Sequence, residues 1–195
     1  VKSIEESRNN TERAEALENQ TSANREKKGI SVWDFDGTIA NTKSNVLYTD
    51  PKGRKGKLTA EEYAEQGSDL IKAGYKFDFT EFSKVVDGKK GPLFDKAVAR
   101  NEKFGNNDVF ILTARPANSN IAIREFLKGV GLDVKLENIT GLANSTAKAK
   151  GEWMIGKVAK GYNDFYFADD MMQNTKAVKD VLNKFDVKSD VQLAR

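Results

Sequence analysis

The sequence contains neither cysteine nor histidine among its 195 residues, and these two absences narrow the chemistry that it can perform. Without cysteine there is no thiolate nucleophile, no disulfide framework and no zinc site built on thiolates. Without histidine, a Ser-His-Asp triad and a phosphohistidine mechanism are excluded. Any catalysis therefore depends on carboxylates, lysines, arginines, hydroxyl groups and a metal held by oxygen ligands.

Long hydrophobic runs are also missing. No apolar run approaches the length that crosses a membrane, and residues 1–28 lack the apolar segment of a signal peptide. Hydrophobic residues make up 38% and charged residues 31%, which is typical of a soluble domain. The net charge of +3 is too small to indicate nucleic-acid binding by itself. We expect a cytoplasmic protein without a membrane partner.

The most informative segment is Asp34–Thr38, with the sequence DFDGT, which follows the apolar run Ile30–Trp33. That run predicts a buried strand ended by Gly37, which places Asp34 and Asp36 at the strand's carboxyl end. Side chains two apart on a strand point the same way, roughly 6–7 Å apart. The spacing suits a divalent cation, or a phosphoryl group between an attacking carboxylate and a proton donor. The alternative is a simple Asp-Gly turn.

Strands and helices alternate in the second half of the chain. Strands are predicted at 108–113, 138–142 and 164–168, and helices at 93–104, 117–128, 152–160 and 175–185. This alternation predicts an α/β fold with a doubly wound, Rossmann-like parallel sheet. Ligands of such sheets gather at the carboxyl ends of the strands.

The remaining segments set the expected boundaries. Residues 29–185 form the predicted α/β domain, and residues 41–90 form a small flap or cap inserted after the first strand. In that insertion a capping box at Thr59–Glu62 predicts a helix, and a second short helix is predicted after Thr80. Polar residues 1–28 predict a linker or tail, residues 186–195 predict a C-terminal tail, and the initial Val1 suggests a piece of a longer polypeptide.

Three of the predicted strands end in polar residues. These are Asp34 and Asp36, then Thr113-Ala114-Arg115, and finally Asp169-Asp170. Four carboxylates gathered in one crevice would repel one another unless a cation lay among them. All-oxygen ligation suits Mg²⁺, so Mg²⁺ is the predicted cofactor.

In their order, these segments resemble the motifs of the haloacid dehalogenase (HAD) superfamily of phosphotransferases, over about residues 30–185. Asp34–Thr38 resembles motif I, Ile111–Arg115 resembles motif II, and Phe167–Asp170, followed by Asn174, resembles motif IV. The family's motif III is a lone lysine. The choice lies between Lys148, Lys150 and Lys157, and Lys150 is favoured because it immediately precedes a predicted helix start.

The resemblance implies a Mg²⁺-dependent phosphate-monoester hydrolase. Asp34 would be the nucleophile that forms an aspartyl-phosphate, and Asp36 would be the general acid and then the base. The implied metal ligands are Asp34, the backbone carbonyl of Asp36 and Asp169, with Asp170 near the metal or its waters. An aspartate at position 36 favours phosphatase or phosphomutase chemistry within the family, because dehalogenases lack a carboxylate there.

The resemblance also implies substrate contacts. Thr113 would hydrogen-bond a phosphate oxygen, with Ala114, Arg115 and Lys148 beside the substrate, and Lys150 would neutralise phosphoryl charge. The substrate stays open between a phosphorylated small molecule, a nucleotide and a nucleic-acid end. A second hypothesis is a structural or binding HAD-like module of a larger, phage-encoded polypeptide or virion assembly, where the chain would be virion-associated.

Two further patterns have competing interpretations. Gly151–Lys157 matches the spacing of a P-loop, but Val158 occupies the position of its Mg²⁺-binding hydroxyl residue, and an amphipathic helix is favoured. A basic cluster in the insertion either is a solvated loop or steers an anionic substrate; its members are Lys52, Arg54, Lys55 and Lys57.

Overall fold

The computed structural model describes residues 4–19 and 26–194. The strands, in chain order, are β1 (Gly29–Trp33), β2 (Ala40–Asn41), β3 (Asn45–Thr49), β4 (Lys55–Thr59), β5 (Lys76–Asp78), β6 (Lys89–Lys90), β7 (Val109–Thr113), β8 (Ile139–Gly141), β9 (Asp164–Asp169) and β10 (Lys188–Leu193). The α-helices are α1 (Ile4–Glu18), α2 (Ala60–Lys72), α3 (Phe94–Phe104), α4 (Asn120–Val130), α5 (Ala147–Ala159) and α6 (Met172–Lys184).

A five-stranded parallel sheet lies at the centre, in the order β10-β9-β1-β7-β8. The chain runs from β1 through β7 to β8, and then returns to the other side of β1 to form β9 and β10. Trp33, at the end of β1, lies between Ile111 and Ala168 of its two neighbours. The predicted α/β class with a parallel sheet is confirmed, and the arrangement is compatible with a Rossmann-like fold.

Alternate residues of the central strands face two separate cores. Val32, Leu112 and Phe167 belong to the core that contains residues of α1, α5 and α6. Trp33 and Ile111 belong to the opposite core, which contains residues of α3 and α4. Burial on both faces explains why these strands read as continuous apolar runs in the sequence. Because both faces of the sheet are buried in the two cores, a functional site has to lie at the polar ends of the strands.

Residues 42–88, called the insert below, leave the sheet between two stems that pair with each other, β2 and β6. The insert contains the antiparallel sheet β4-β3-β5 and the helix α2. The capping box at the start of α2 is confirmed, because Glu62 N–H donates to Thr59 Oγ1 at 3.1 Å and Thr59 N–H donates to Glu62 Oε1 at 3.0 Å. The helix predicted after Thr80 is wrong: the chain forms a turn there.

The two ends of the chain differ from the expected tails. Residues 188–193 form β10, which pairs in parallel with β9 along its whole length. Its alternating polar residues are tolerated because it is an edge strand that is only half-buried. At the other end, α1 contacts α5 and buries Ala14 in the core, while residues 1–3 and 20–25 of the predicted linker lie outside the described residues.

The P-loop interpretation is excluded by the structure, because residues 151–157 lie inside α5 and form no loop. Lys157, the residue that a P-loop would direct at phosphate, lies 4.0 Å from the centre of the Phe110 ring and 4.9 Å from that of Trp153. Within the described residues, none of the helices combines the length and the hydropathy that a membrane crossing requires.

Candidate functional site

The first polar segment lies just beyond β1. The strand ends at Trp33, and the backbone N–H of Asp34 donates to Ala168 O at 2.9 Å, which fixes Asp34 against the end of β9. The chain then turns, with Gly37 at a φ of 79°, a left-handed conformation that favours glycine. The two aspartates therefore lie beyond the end of β1, where the alternation expected for a strand does not fix their directions.

Three of the four predicted carboxylates meet at this point. Asp34, Asp169 and Asp170 each place a carboxylate oxygen within 4.8 Å of the others. Lys150, in the first turn of α5, lies among them, with its Nζ 2.9 Å from Asp34 Oδ1 and 2.6 Å from Asp169 Oδ2. Thr38 donates to the other Asp34 oxygen at 3.0 Å, so both oxygens of Asp34 are oriented.

Asp169 is fully buried and is held in place by neighbours from the start of α6. The backbone N–H of Met171 donates to Asp169 Oδ1 at 2.9 Å, and Asn174 Nδ2 lies 3.1 Å and 3.2 Å from its two oxygens. Asn174 is only 5% exposed, yet its Oδ1 atom has no hydrogen-bond partner within the part of the chain that the structure describes. A buried acceptor without a partner is costly, and here it lies on the wall of the same cavity as the carboxylates.

The cluster carries more negative than positive charge. Burial raises the pKa of the Asp34 carboxyl well above its ordinary value; Asp169 adds to the rise, and Lys150 opposes it. Burial likewise raises the pKa of Asp170 to about 6. Burial lowers the pKa of the Lys150 ammonium, but the carboxylates of Asp169 and Asp34 outweigh this, so the pKa lies above its ordinary value. Lys150 is therefore charged, and the carboxylates of Asp34 and Asp170 favour taking up a proton or a cation.

Asp36 lies apart from this cluster, in an ion pair with Arg115. Arg115 Nε donates to Asp36 Oδ2 at 2.7 Å and Nη2 donates to Oδ1 at 2.8 Å, a two-pronged contact. The Arg115 side chain is 0% exposed. This corrects the expectation that Arg115 binds substrate, because its guanidinium is enclosed behind Asp36. It also corrects the expectation that four carboxylates gather, because the carboxylate of Asp36 is directed to Arg115.

A small cavity of about 30 Å³ lies over the carboxylates. Its walls come from the strand ends and from the insert, and they include Asp34, Asp36, Ala60, Glu61, Ala64, Phe82, Thr113, Ala114, Ser145, Lys150, Asp169, Asp170, Met171 and Asn174. This volume holds about two water molecules. The first turns of α2 thus form a roof over the site.

The predicted substrate-binding residues divide into two groups. Thr113 and Ala114 line the cavity, and the Thr113 hydroxyl, which accepts from Arg115 N–H at 3.2 Å, retains a hydrogen to donate. Lys148 does not line the cavity: its side chain is 84% exposed, and its nearest acidic partner, at 3.8 Å, is Glu152 on the same helix. Among the three candidate lysines, the structure places Lys150 at the site and Lys148 and Lys157 elsewhere.

A wider cavity of about 760 Å³ adjoins the first and opens to solvent, and we call it the mouth. Glu61, Asp170 and Met171 line both cavities. Glu65, one turn after Glu61 on α2, adds a further carboxylate, and Lys90 is the lysine among the residues that line the mouth. Among the described residues, the lining of the mouth is therefore acidic, with three carboxylates and one lysine.

The basic cluster lies away from both cavities. Lys55 and Lys57 alternate along β4 with Leu58, which is buried in the core of the insert, so the lysines occupy the opposite face of that sheet. Arg54 is paired with Asp50 at 2.7 Å. None of Lys52, Arg54, Lys55 and Lys57 lines the site or its mouth.

Thr38 and Asn174 were named within the resembled motifs without a role, and Thr42 was not named at all. Thr38 orients Asp34, Thr42 donates to Asp36 Oδ1 at 2.9 Å, and Asn174 orients Asp169. Thr38 and Asn174 each lie four or five residues beyond the aspartate that they contact, and that spacing was the available signal. Thr42 gave no signal, since a threonine at the start of an insertion is common in any solvated turn.

Comparisons of the chain with protein-family models, with curated proteins and with solved structures found no significant match. A functional assignment therefore depends on the chemistry and the geometry of the site.

Proposed function

We propose that the chain is a Mg²⁺-dependent phosphate-monoester hydrolase of the HAD type, which acts through an aspartyl-phosphate on Asp34. The observation that carries the proposal is the position of Lys150, whose ammonium joins Asp34 to Asp169 beside Asp170 at the carboxyl ends of β1 and β9. A carboxylate attacks a dianionic phosphate ester only where positive charge offsets the repulsion. A buried carboxylate held by a buried lysine meets that need.

The residues present fit a magnesium ion. Asp34, Asp169 and Asp170 offer carboxylate oxygens within 4.8 Å of one another, and Mg²⁺ takes one or two carboxylates and keeps several waters. The unpartnered Asn174 Oδ1 on the same cavity would accept a hydrogen bond from such a water. These residues would hold the ion, which acts as a Lewis acid that offsets charge on the phosphoryl oxygens.

In the first half-reaction, Asp34 Oδ attacks phosphorus while the bond from phosphorus to the alcohol oxygen breaks. Asp36, as the general acid, gives a proton to that oxygen, so the alcohol leaves neutral. Lys150 offsets the charge shared by Asp34 and the phosphoryl group, and the Thr113 hydroxyl donates to a phosphoryl oxygen. Thr38 keeps the attacking carboxylate from rotating.

In the second half-reaction, the Asp36 carboxylate takes a proton from a water molecule. The resulting hydroxide attacks phosphorus, and the bond from phosphorus to Asp34 breaks. Asp34 returns as a carboxylate, Asp36 returns protonated, and inorganic phosphate leaves. The sum is the conversion of a phosphate monoester and water into an alcohol and phosphate.

The acidic mouth supports a substrate with a single phosphoryl group on an uncharged or cationic alcohol. Glu61, Glu65 and Asp170 line the route toward the site, and they repel additional negative charge on a ligand. We therefore favour a phosphorylated small molecule over a nucleic-acid end.

Release of phosphate from p-nitrophenyl phosphate by the purified chain tests the proposal. We expect Mg²⁺-dependent turnover that is lost in Asp34→Asn, together with ³²P label on the wild type after acid quenching. Binding of Mg²⁺ with no turnover of any aryl or alkyl phosphate would instead favour the structural or binding module of a larger assembly.

A further inference from the structure

We infer that Arg115 is a positioning residue that couples the acid and base Asp36 to the insert, so that the proton-transfer group and the roof of the site move together. The inference rests on the proposed function for the role of Asp36, but the link itself is a matter of contacts. Arg115 lies at the end of β7, outside the insert, and its guanidinium reaches both Asp36 and the two crossings by which the insert joins the sheet.

The two crossings, residues 42–45 and 81–86 at the base of the insert, form what we call the neck. Backbone Lys43 N–H donates to Val86 O at 2.8 Å. Ser44, which is 1% exposed, donates from Oγ to Lys84 O at 2.8 Å and accepts from Val86 N–H at 2.9 Å. The outgoing and returning chains therefore hold one another in a fixed register.

Arg115 completes the neck. Nη1 donates to Phe82 O at 2.9 Å and to Lys84 O at 2.6 Å, both on the returning chain. Nη2 donates to Thr42 Oγ1 at 3.0 Å on the outgoing chain. With the two bonds to Asp36, each of the five guanidinium N–H groups has an acceptor. The group also lies 4.5 Å from the centre of the Phe82 ring.

Because every N–H group of the Arg115 guanidinium already has an acceptor, any movement of the neck breaks hydrogen bonds. A buried guanidinium that loses acceptors leaves unpaired donors and an uncompensated charge, which is costly in a dry interior. If the neck shifts when the roof opens, the carbonyls of Phe82 and Lys84 move relative to Arg115. The planar guanidinium then turns as a unit, and Asp36, held at two points, turns with it.

The same contacts direct the proton of Asp36 to one atom. A carboxylate offers about four acceptor positions. Oδ1 accepts from both Arg115 Nη2 and Thr42 Oγ1, whereas Oδ2 accepts from Arg115 Nε as its one donor among the described residues. The open position is on Oδ2, so Arg115 leaves one oxygen of Asp36 able to carry the proton that the reaction transfers.

The first test compares two leaving groups. p-Nitrophenolate leaves without a proton, whereas the alkoxide of glycerol 2-phosphate needs one, so only the second ester depends on a well-placed Asp36. For Arg115→Met we expect kcat/KM for glycerol 2-phosphate to fall about 100-fold or more and that for p-nitrophenyl phosphate to change by less than about threefold. Arg115→Lys should restore part of the loss, because lysine pairs with Asp36 but cannot also bridge the neck.

Two comparisons separate positioning from a general loss of structure. In an Asp36→Asn background, Arg115→Met should add no further loss with glycerol 2-phosphate, because the two residues act as one unit. Arg100→Met is the matched control: Arg100 also donates to a side chain, Ser31 Oγ, and stacks on Tyr166, but it does not contact Asp36, so wild-type ratios are expected. Equal losses on both esters for Arg115→Met, or additive losses in the double variant, would overturn the inference.

Hydrogen exchange, which needs no enzymatic turnover, tests the link between Asp36 and the neck even if the proposed function is wrong. Asp36→Asn removes the charge that balances Arg115, so the backbone amides of Lys43 and Val86 should exchange hydrogen faster than in the wild type or in Arg100→Met. Absence of hydrolysis of both esters by the wild type would overturn the proposed function alone. Unchanged exchange of the two amides in Asp36→Asn would overturn the link between Asp36 and the neck.

Discussion

The ammonium of Lys150 lies 2.9 Å from Asp34 Oδ1, although the two residues are 116 positions apart in the sequence. Asp34 lies at the end of the central strand, and Lys150 lies in the first turn of a helix on one face of the sheet. Thr146 caps that helix, since Ala149 N–H donates to its Oγ1 at 3.2 Å, and the cap fixes the turn that carries Lys150. The contact therefore depends on the crossing between β8 and β9.

The first prediction concerns this pair. Asp34→Asn should lower kcat by at least about 10³-fold, because the amide cannot form the covalent intermediate. Lys150→Met should lower activity and also stability, because it leaves Asp34 and Asp169 facing each other without a cation. Phosphate release and thermal melting check both variants. Asp164→Asn, at the other end of β9, is a matched control, and wild-type turnover in Asp34→Asn would exclude the covalent route.

The second prediction concerns the metal. EDTA should abolish hydrolysis and Mg²⁺ should restore it, because the carboxylate cluster has more negative charge than Lys150 offsets. Asn174→Ala should raise the Mg²⁺ concentration for half-maximal activity about 10-fold or more, as expected when a residue that orients a ligand is lost. Calorimetric titration with Mg²⁺ gives the same comparison without substrate. Equal affinities for wild type and Asn174→Ala would show that Asn174 does not orient the ligand set.

A third prediction follows from the raised pKa of Asp170, which lies at about 6 against an ordinary value of 3.8. Between these values the folded protein holds a proton that the unfolded chain has lost. The free energy of unfolding of the metal-free protein should therefore fall as the pH rises through this interval, and the raised pKa of Asp34 should contribute a fall of the same sign. Asp170→Asn removes the first contribution.

Thermal melting in EDTA across this pH interval checks the sign. The melting temperature of the wild type should decrease with pH more steeply than that of Asp170→Asn. Added Mg²⁺ should stabilise the protein more at the upper end, where the carboxylates are ionised. Parallel curves for the two proteins would mean that Asp170 ionises equally easily in the folded and unfolded chains.

The fold was predictable where one local pattern sufficed. Continuous apolar runs indicated β1, β7 and β9, and the capping box indicated the start of α2. Edge strand β10 was not predictable, because its residues KSDVQL alternate in polarity and resemble an exposed tail. Its pairing depends on the neighbouring edge of β9, which local sequence does not describe.

The residues of the site also include some that the sequence could predict and some that it could not. The predicted strand ends pointed to Asp34 and Asp169, and the family resemblance left Lys150 as the favoured one of three lysines; the structure brings these three residues together. The partner of Asp36 was not predictable, because the contact with Arg115 joins residues 79 positions apart through a turn whose direction the strand pattern does not give. Arginine after a polar strand end is as consistent with substrate binding as with a buried ion pair, and only its enclosure by the neck distinguishes them.

The last prediction concerns the two charged regions near the insert. Glu61 and Glu65 line the mouth, whereas Lys55 and Lys57 occupy the far face of the sheet β4-β3-β5. Glu61→Gln with Glu65→Gln should therefore strengthen competitive inhibition by a 5′-phosphorylated oligonucleotide about two- to fivefold at low salt. Lys55→Gln with Lys57→Gln, the matched variant of opposite sign, should leave the inhibition constant unchanged.

Inhibition of p-nitrophenyl phosphate hydrolysis, measured over a salt series, distinguishes the two regions. The effect of the glutamate variant should shrink as salt rises, because exposed charges are screened beyond about 10 Å at 0.1 M. The two variants should differ because of where the charges lie. Glu61 and Glu65 lie on the route to Asp34 and act on every approaching anion, whereas the lysines behind the insert act on it through more solvent. Weaker inhibition in the lysine variant, with no change in the glutamate variant, would show that the basic cluster steers polyanions to the site and that the acidic mouth does not exclude them.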